Sequence, residues 1–462
     1  MYMTKSLTPI ADHHFVVLGL ARQGIAVSRW LAAQGAHVTV SDAQPAEKLA
    51  PAIEALRGVK VTFALGGHPL SLLDRCDFLC LSGGVPIDLP IVREAQRRGI
   101  ALTNDAQLFL ERCPAPVIGI TGSAGKTTTT TLTGEILRAA GYITRVGGNI
   151  GNPLIGELEE LAPTHRVVME LSSFQLDLMT ISPQVAGVLN ITPNHLDRHG
   201  TMEAYIAAKG HILDFQTFDD SAVLGYDDPI ARTLSGRTRG YVRFFSREKV
   251  IGRGAFVKGD HIVIVQNYES KVCRVSDIPL RGAHNVQNVL AACALTAALG
   301  VEPDNMAGAI RAFKGVPHRL QFVREVNGAA YYDDSIATAP ERLMAGLQAF
   351  DEPLVLLAGG RDKHLPWETA AQAIVERVRE LIVFGEMAEL VRRAVEAQLA
   401  SAKMRTLEHI HQVKSLDEAV AKAAQTARSG DVVLLSPGGT SYDAFKDFEE
   451  RGDTFQALVK GL

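Results

Sequence analysis

The chain has 462 residues, room for about three domains at ~150 residues each. Apolar residues make up 47% and charged residues 21%, so each domain can bury a core, and a net charge of −4 offers no positive field to attract nucleic acid. The opening Met-Tyr-Met-Thr-Lys-Ser lacks the apolar core of a signal peptide, and no apolar run reaches the ~18 residues that span a membrane, so a cytoplasmic protein without membrane insertion is expected. The five cysteines (Cys76, Cys80, Cys113, Cys273, Cys293) form no C-x-x-C pair and read as reduced thiols.

The first ~110 residues alternate strand and helix, about the size of one small domain. Phe15–Leu18 reads as a buried strand, Ile25–Ala33 as a helix, Val38–Val40 as a second strand ending near Asp42, and Phe78–Leu81 as a third, followed by Ser82-Gly-Gly84. Repeated β-α units predict a parallel, doubly wound sheet. The first turn, Gly19-Leu-Ala-Arg-Gln-Gly24, departs from the dinucleotide fingerprint G-x-G-x-x-G at Ala21, and Asp42 falls near where a ribose-binding acid would sit. Two readings stay open: a nucleotide-like ligand over the turn, or a helix packed tightly on a strand.

Glu111–Pro116 reads as a linker, because prolines end elements. The apolar run Pro116–Thr121 then reads as a strand. It is followed by the loop Gly122-Ser123-Ala124-Gly125-Lys126-Thr127 and a helix opening at the threonine-rich Thr127–Thr133. This T-G-x-x-G-K-T loop is a shorter variant of the usual phosphate loop. Its N–H groups and the helix N-terminus face an anion, Lys126 reaches the β/γ-phosphates, and the Thr127 hydroxyl can sit on Mg²⁺.

Two further strands are expected to end beside this loop. Val167–Met169 ends in Glu170, and Val185–Ile191 runs into Thr-Pro-Asn-His195. If the three are parallel neighbours, Thr127, Glu170 and His195 converge at one sheet edge as a plausible Mg²⁺ shell, with the imidazole the unusual member. Asn149 sits among glycines that let backbone approach a ligand, although a plain glycine turn reads the same way. A less regular, β-rich segment is expected from about Leu224 to Leu280, with strands at Ala255–Val257 and His261–Val265, then a helix from about Val286 to Leu299. After a second boundary at Phe313–Arg319, strands are expected at Ala330–Tyr332, Leu354–Leu357, Leu381–Phe384 and Val432–Leu435.

These segments, in this order, resemble the Mur ligases, the ATP-dependent amide-forming enzymes of peptidoglycan precursor synthesis. The resemblance is carried by Thr121–Thr128, Gly147–Gly151, Met169–Leu176, Asn194–Arg198, Tyr205–Lys209, His284–Asn288, Pro317-His-Arg319, Asp334-Ser335, Gly359–Lys363 and Leu435–Ser441. It implies an α/β chain of three domains. A Rossmann-like domain over 1–112 holds a UDP-linked substrate, a P-loop ATPase-type sheet with an extra β segment over 113–315 binds ATP, and a Rossmann-like domain over 316–462 holds an amino acid. Within the family, Glu170–Leu176 and the ending Phe445–Gly452 are most similar to members that add glutamate to UDP-N-acetylmuramoyl-L-alanine.

The roles that follow are implied by the resemblance. ATP falls to Gly122, Ser123, Ala124, Gly125, Lys126, Thr127, Thr128, Asn285, Asn288, Arg319 and Asp334. Two Mg²⁺ ions fall to Thr127, Glu170, His195 and a carbamylated Lys209, although the residues alone read Lys209 as a solvated lysine on the helix Met202–Phe215. The UDP-linked substrate falls to Arg22, Gln23, Asp42, Ser82, Asn149 and His195, and the amino acid to Thr338, Lys363, Ser441 and Phe448. The catalytic set is Lys126, Glu170, His195, Lys209 and Arg319. Cell-wall biogenesis in the cytoplasm is implied, and a monomer is expected because no interface signal is seen.

The third-domain segment departs from the D-S-K-x-T-N pattern of the glutamate-adding members: Asp334-Ser-Ile336-Ala-Thr338-Ala339 lacks the lysine and the asparagine. Losing that cation bears on how amino-acid carboxylates are held, with Arg361 as a possible compensating charge. D-glutamate is the favoured amino acid and L-glutamate the alternative. Another Mur-type or folylpolyglutamate-type ligase, a non-catalytic nucleotide-binding module and a dinucleotide oxidoreductase are the other readings.

Overall fold

The computed structural model describes residues 8–399, 402 and 404–462, so the N-terminal segment read for a signal peptide lies outside them. Contacts divide the chain into two compact units. One runs to Ile278 and includes His284–Phe313; the other joins Pro279–Ala283 to Lys314–Leu462.

The first unit contains two sheets. Its N-terminal sheet has strands β1 (His14–Leu18), β2 (His37–Asp42), β3 (Val61–Leu65), β4 (Phe78–Leu81) and β5 (Ala101–Thr103), all parallel in the order β3-β2-β1-β4-β5. β1 is central, so Phe15–Leu18 is a continuous buried run rather than an alternating one. β3 is absent from the sequence reading, which makes Phe78–Leu81 the fourth strand and not the third. β3 lies at the sheet edge and none of its residues is fully buried, so it has no clean apolar pattern. The turn after β1 shows the close packing of helix on strand that one reading of Gly19–Gly24 expected. A Cβ on Gly24 would lie 1.9 Å from the Gly19 carbonyl oxygen, so the helix Arg22–Ala33 can close on the strand only with glycine there.

The second sheet holds β6 (Val117–Thr121), β7 (Thr144–Gly148), β8 (Arg166–Glu170), β9 (Val185–Val188), β10 (Ser221–Gly225), β11 (Tyr241–Ser246), β12 (Gly254–Lys258), β13 (His261–Val265) and β14 (Glu269–Arg274). The order is β14-β13-β12-β11-β10-β9-β6-β8-β7. β6 pairs in parallel with both β8 and β9, as the sequence reading required. The segment read as irregular is more ordered than expected. β10, β11 and β12 continue the parallel pairing, and the antiparallel pairs are β12–β13 and β13–β14. One apolar core runs through both sheets of this unit, from Phe15, Val17 and Val27 to Met169, Val188 and Leu224.

The second unit has one six-stranded sheet of β15 (Gln321–Val326), β16 (Ala329–Asp333), β17 (Leu354–Gly359), β18 (Val378–Phe384), β19 (His409–Gln412) and β20 (Val432–Gly438), in the order β15-β16-β20-β17-β18-β19. β15 is antiparallel and the rest are parallel. Separate apolar clusters cover the two faces, one around Leu356, Ile374 and Val391, the other around Val355, Val420 and Phe455. No helix among the described residues is long and apolar enough to cross a membrane, and none of the five cysteines forms a disulfide.

Candidate active site

The phosphate loop leaves β6 at Gly122 and enters the helix Lys126–Ala139 through Gly125, whose φ of +82° is a left-handed conformation that favours glycine. A Cβ there would also meet the Asn288 side chain at 2.2 Å. The loop is clamped from β9 and the segment after it. The Ser123 N–H donates to the Asn190 carbonyl (2.9 Å), and the Asn190 side chain accepts from Ala124 N–H (2.9 Å) and donates back to its carbonyl (3.1 Å). The Ser123 hydroxyl lies 3.0 Å from the Tyr205 hydroxyl. Lys126 folds over the loop, donating to the Gly122 carbonyl at 2.9 Å.

Glu170, at the end of β8, is buried beside the loop. Its two carboxylate oxygens accept separately from the Thr127 hydroxyl (2.9 Å) and the Asn149 amide (3.0 Å). The expected hydroxyl and carboxylate therefore meet, and Asn149 joins them. His195 stands on the loop after β9 with φ +53° and its ring edge-on to Phe174 at 5.3 Å between centroids. Asn288 donates to the Asn285 side chain (3.0 Å); both are buried, and Asn288 lies against Gly125 at the start of the loop helix. Thr128 is buried as well.

Lys209 overturns its reading as a solvated lysine. It is 2% exposed on the helix Met202–Asp214. Its Nζ donates to the Gly122 carbonyl (3.0 Å) and the Thr121 hydroxyl (3.3 Å), and sits 4.7 Å from the centre of the Tyr205 ring. Burial first, then the neighbouring Lys126 charge, push its pKa down to about 6 against a smaller opposing pull from Glu170. At neutral pH this amine is mostly uncharged, and an uncharged amine is nucleophilic.

The residues expected for the UDP-linked substrate divide into two groups. Arg22 is exposed at the start of its helix, and Gln23 accepts from Gly83 N–H (2.9 Å) and reaches the Gly148 carbonyl (3.5 Å). Asp42 and Ser82 bond to the backbone around the turn. Asp42 accepts from the N–H groups of Leu20 (2.7 Å) and Gln44 (2.8 Å), and buried Ser82 donates to the Leu18 carbonyl at 2.8 Å. Ser82 ties the end of β4 to the end of β1 at the sheet's switch point.

In the second unit, Thr338 and Lys363 meet, with Lys363 Nζ donating to the Thr338 hydroxyl at 3.2 Å. Burial followed by the charges of Arg342 and Arg451 lower the Lys363 pKa. Ser441 is buried, and the Phe448 carbonyl accepts from Ser335 Oγ at 2.8 Å at the start of the helix Phe448–Lys460. Asp334 is buried. Its carboxylate accepts from the Ser436 hydroxyl (2.9 Å) and Leu320 N–H (3.2 Å), and burial lifts its pKa to about 7 although Arg319 lies beside it. Arg361, the expected compensating cation, is instead paired in a fork with Glu386, with both N···O distances 2.9 Å.

The chain is 43% identical over 449 residues to UDP-N-acetylmuramoylalanine--D-glutamate ligase of Pelotomaculum thermopropionicum, covering 97% of each chain. It is 41% identical over 456 residues to the protein of the same name from Geotalea uraniireducens, covering 98% of each. The chain belongs to the Mur ligase family. Family models match in the same order: the Mur ligase MurD-like N-terminal domain over residues 13–104, the Mur ligase middle domain over 120–296, and the Mur ligase glutamate ligase domain over 318–439. Solved Mur ligases share the fold at low identity. MurF from Acinetobacter baumannii has a TM-score of 0.58 at 20% identity, covering 99% of this chain and 95% of that one. UDP-N-acetylmuramate-alanine ligase MurC from Thermotoga maritima has a TM-score of 0.56 at 20% identity, covering 97% and 99%.

This Mur ligase also carries site-forming residues that the sequence reading passed over. Asn190 and Tyr205 hold the phosphate loop from outside its motif. Arg451 is fully buried, donating to the Ser335 hydroxyl (3.0 Å) and the carbonyls of Ser335 (2.9 Å) and Gly439 (3.2 Å). In sequence it closes the charge run Glu449-Glu-Arg451, which looks like a solvated helix face. The adjacent glycine was the available signal. Gly452 has no room for a Cβ, which would meet His318 Nδ1 at 2.1 Å.

Proposed function

We propose that the chain joins D-glutamate to UDP-N-acetylmuramoyl-L-alanine, hydrolysing ATP to ADP and phosphate. The observation that carries this is Glu170, buried at the end of a parallel strand and held between the Thr127 hydroxyl of the phosphate loop and Asn149. The names of the 43% and 41% identical relatives support the substrate assignment.

A carboxylate does not react with an amine at neutral pH, because hydroxide is a poor leaving group. The L-alanine carboxylate first attacks the γ-phosphorus of ATP, and ADP leaves. The amine of glutamate then attacks the resulting acyl phosphate, and phosphate leaves from a tetrahedral intermediate. The first step brings two anions together. Lys126 and the N–H groups at the start of the loop helix hold the phosphates and offset their charge. Thr127 and Glu170 are hard oxygen donors of the kind Mg²⁺ selects, and the ion would screen the phosphate oxygens. Neutral Lys209 beside them is suited to take up CO₂ as a carbamate, which turns a would-be cation into a further oxygen donor for a second ion. His195, or a phosphate oxygen, takes the proton from the incoming amine. Arg22, Gln23 and Asn149 are assigned to the UDP-linked substrate; Arg319 and Asp334 are assigned to ATP by the family resemblance. Residues 1–112, 113–315 and 316–462 are taken as the three substrate domains, and the working state as a cytoplasmic monomer.

The route is tested by labelling the substrate carboxylate with ¹⁸O. Attack through that oxygen leaves one labelled atom in each phosphate released. Turnover that leaves the phosphate unlabelled excludes the acyl phosphate.

A further inference from the structure

Ile336 and Thr338 lie two residues apart on the segment between β16 and the helix Pro340–Leu347, and each anchors a different cation. Lys363 Nζ donates to the Thr338 hydroxyl at 3.2 Å, and Arg342 Nη1 donates to the Ile336 carbonyl at 3.3 Å. Both side chains belong to exposed residues, so both charges remain open to a ligand. The two cations are near enough for the Arg342 charge to help lower the Lys363 pKa, after burial. Like charges held together repel each other, and an anion between them relieves that repulsion. Ile336 itself contributes no charge, and Arg361 is engaged with Glu386.

We propose that Arg342 is a specificity-determining residue that binds a carboxylate of the incoming amino acid together with Lys363, supplying from the helix Pro340–Leu347 the positive charge that position 336 lacks. Glutamate carries two carboxylates, and two cations anchored to one short segment can take both. A guanidinium offers a planar fork to a carboxylate, so lysine at 342 would restore the charge without the geometry. This inference rests on reading the Thr338–Lys363 region as the amino-acid site.

The test is steady-state kinetics of the full chain with each substrate varied in turn. Arg342→Ala is expected to raise the KM for D-glutamate roughly 10- to 100-fold, the scale of one charge-assisted hydrogen bond. The KM values for ATP and the UDP-linked substrate should stay within about twofold, and Arg342→Lys should recover part of the loss. Lys363→Ala, measured in parallel, separates the two claims. If it raises the glutamate KM while Arg342→Ala does not, the role of Arg342 is overturned and the site stands. If neither moves it, the site reading fails and Arg342 falls with it.

Discussion

A lysine ammonium is rarely buried without a carboxylate partner, and Lys209 has a carbonyl, a hydroxyl and an aromatic ring around it instead. Its lowered pKa has consequences for both stability and chemistry. Between pH about 6 and the ordinary value of 10.5, the unfolded chain binds a proton at this residue that the folded chain does not. Stability carried by Lys209 therefore rises with pH across that window and is lowest below it. In CO₂-free buffer, the stability difference between wild type and Lys209→Met should change with pH over this range; a difference flat from pH 6 to pH 9 contradicts the burial account. With ¹³C-bicarbonate added, carbamate formation should titrate near pH 6, while a midpoint near 10 would mean an ordinary lysine. The residue scale is also where the sequence was least legible. Thr127 and Glu170 could be placed because a motif and three strand ends converge. Asn190 and Arg451 could not, and Lys209 only through the family resemblance, because burial of one polar side chain leaves no periodic trace.

At the scale of elements, the turn from β1 into the helix Arg22–Ala33 depends on one missing methyl group. Alanine at position 24 would press its Cβ into the Gly19 backbone, which has no rotamer to yield. Gly24→Ala is expected to cost on the order of 2 kcal/mol and lower the urea midpoint of the unit that contains β1. Unchanged stability would mean the helix can shift without loss. The same turn explains why its sequence was ambiguous, since glycine spacing that admits a ligand also admits a close helix. Central strands such as β6 and β17 were legible as apolar runs, because both of their faces are covered. Edge strand β3 was not, and β10 and β11 were masked by the loops around them. Their parallel pairing is fixed by partners far away in sequence, which no local pattern reports.

At the scale of the whole molecule, the residues proposed to handle phosphate, Lys126, Thr127, Glu170 and Lys209, belong to one compact unit. Thr338, Arg342, Lys363 and Arg451 belong to the other, each unit with its own apolar core. The parallel β-α order of the three sheets was readable from alternating elements, as was the extra antiparallel segment in outline. What remained unreadable was the cation proposed to make up for Ile336, because Arg342 lies on the helix Pro340–Leu347 and not in the motif. The most direct test of the account is phosphate release by the full chain from ATP and Mg²⁺ with UDP-N-acetylmuramoyl-L-alanine, supplying D-glutamate and L-glutamate separately. The account expects release with D-glutamate and little above background with L-glutamate. Release with L-glutamate alone, or with neither, would contradict it.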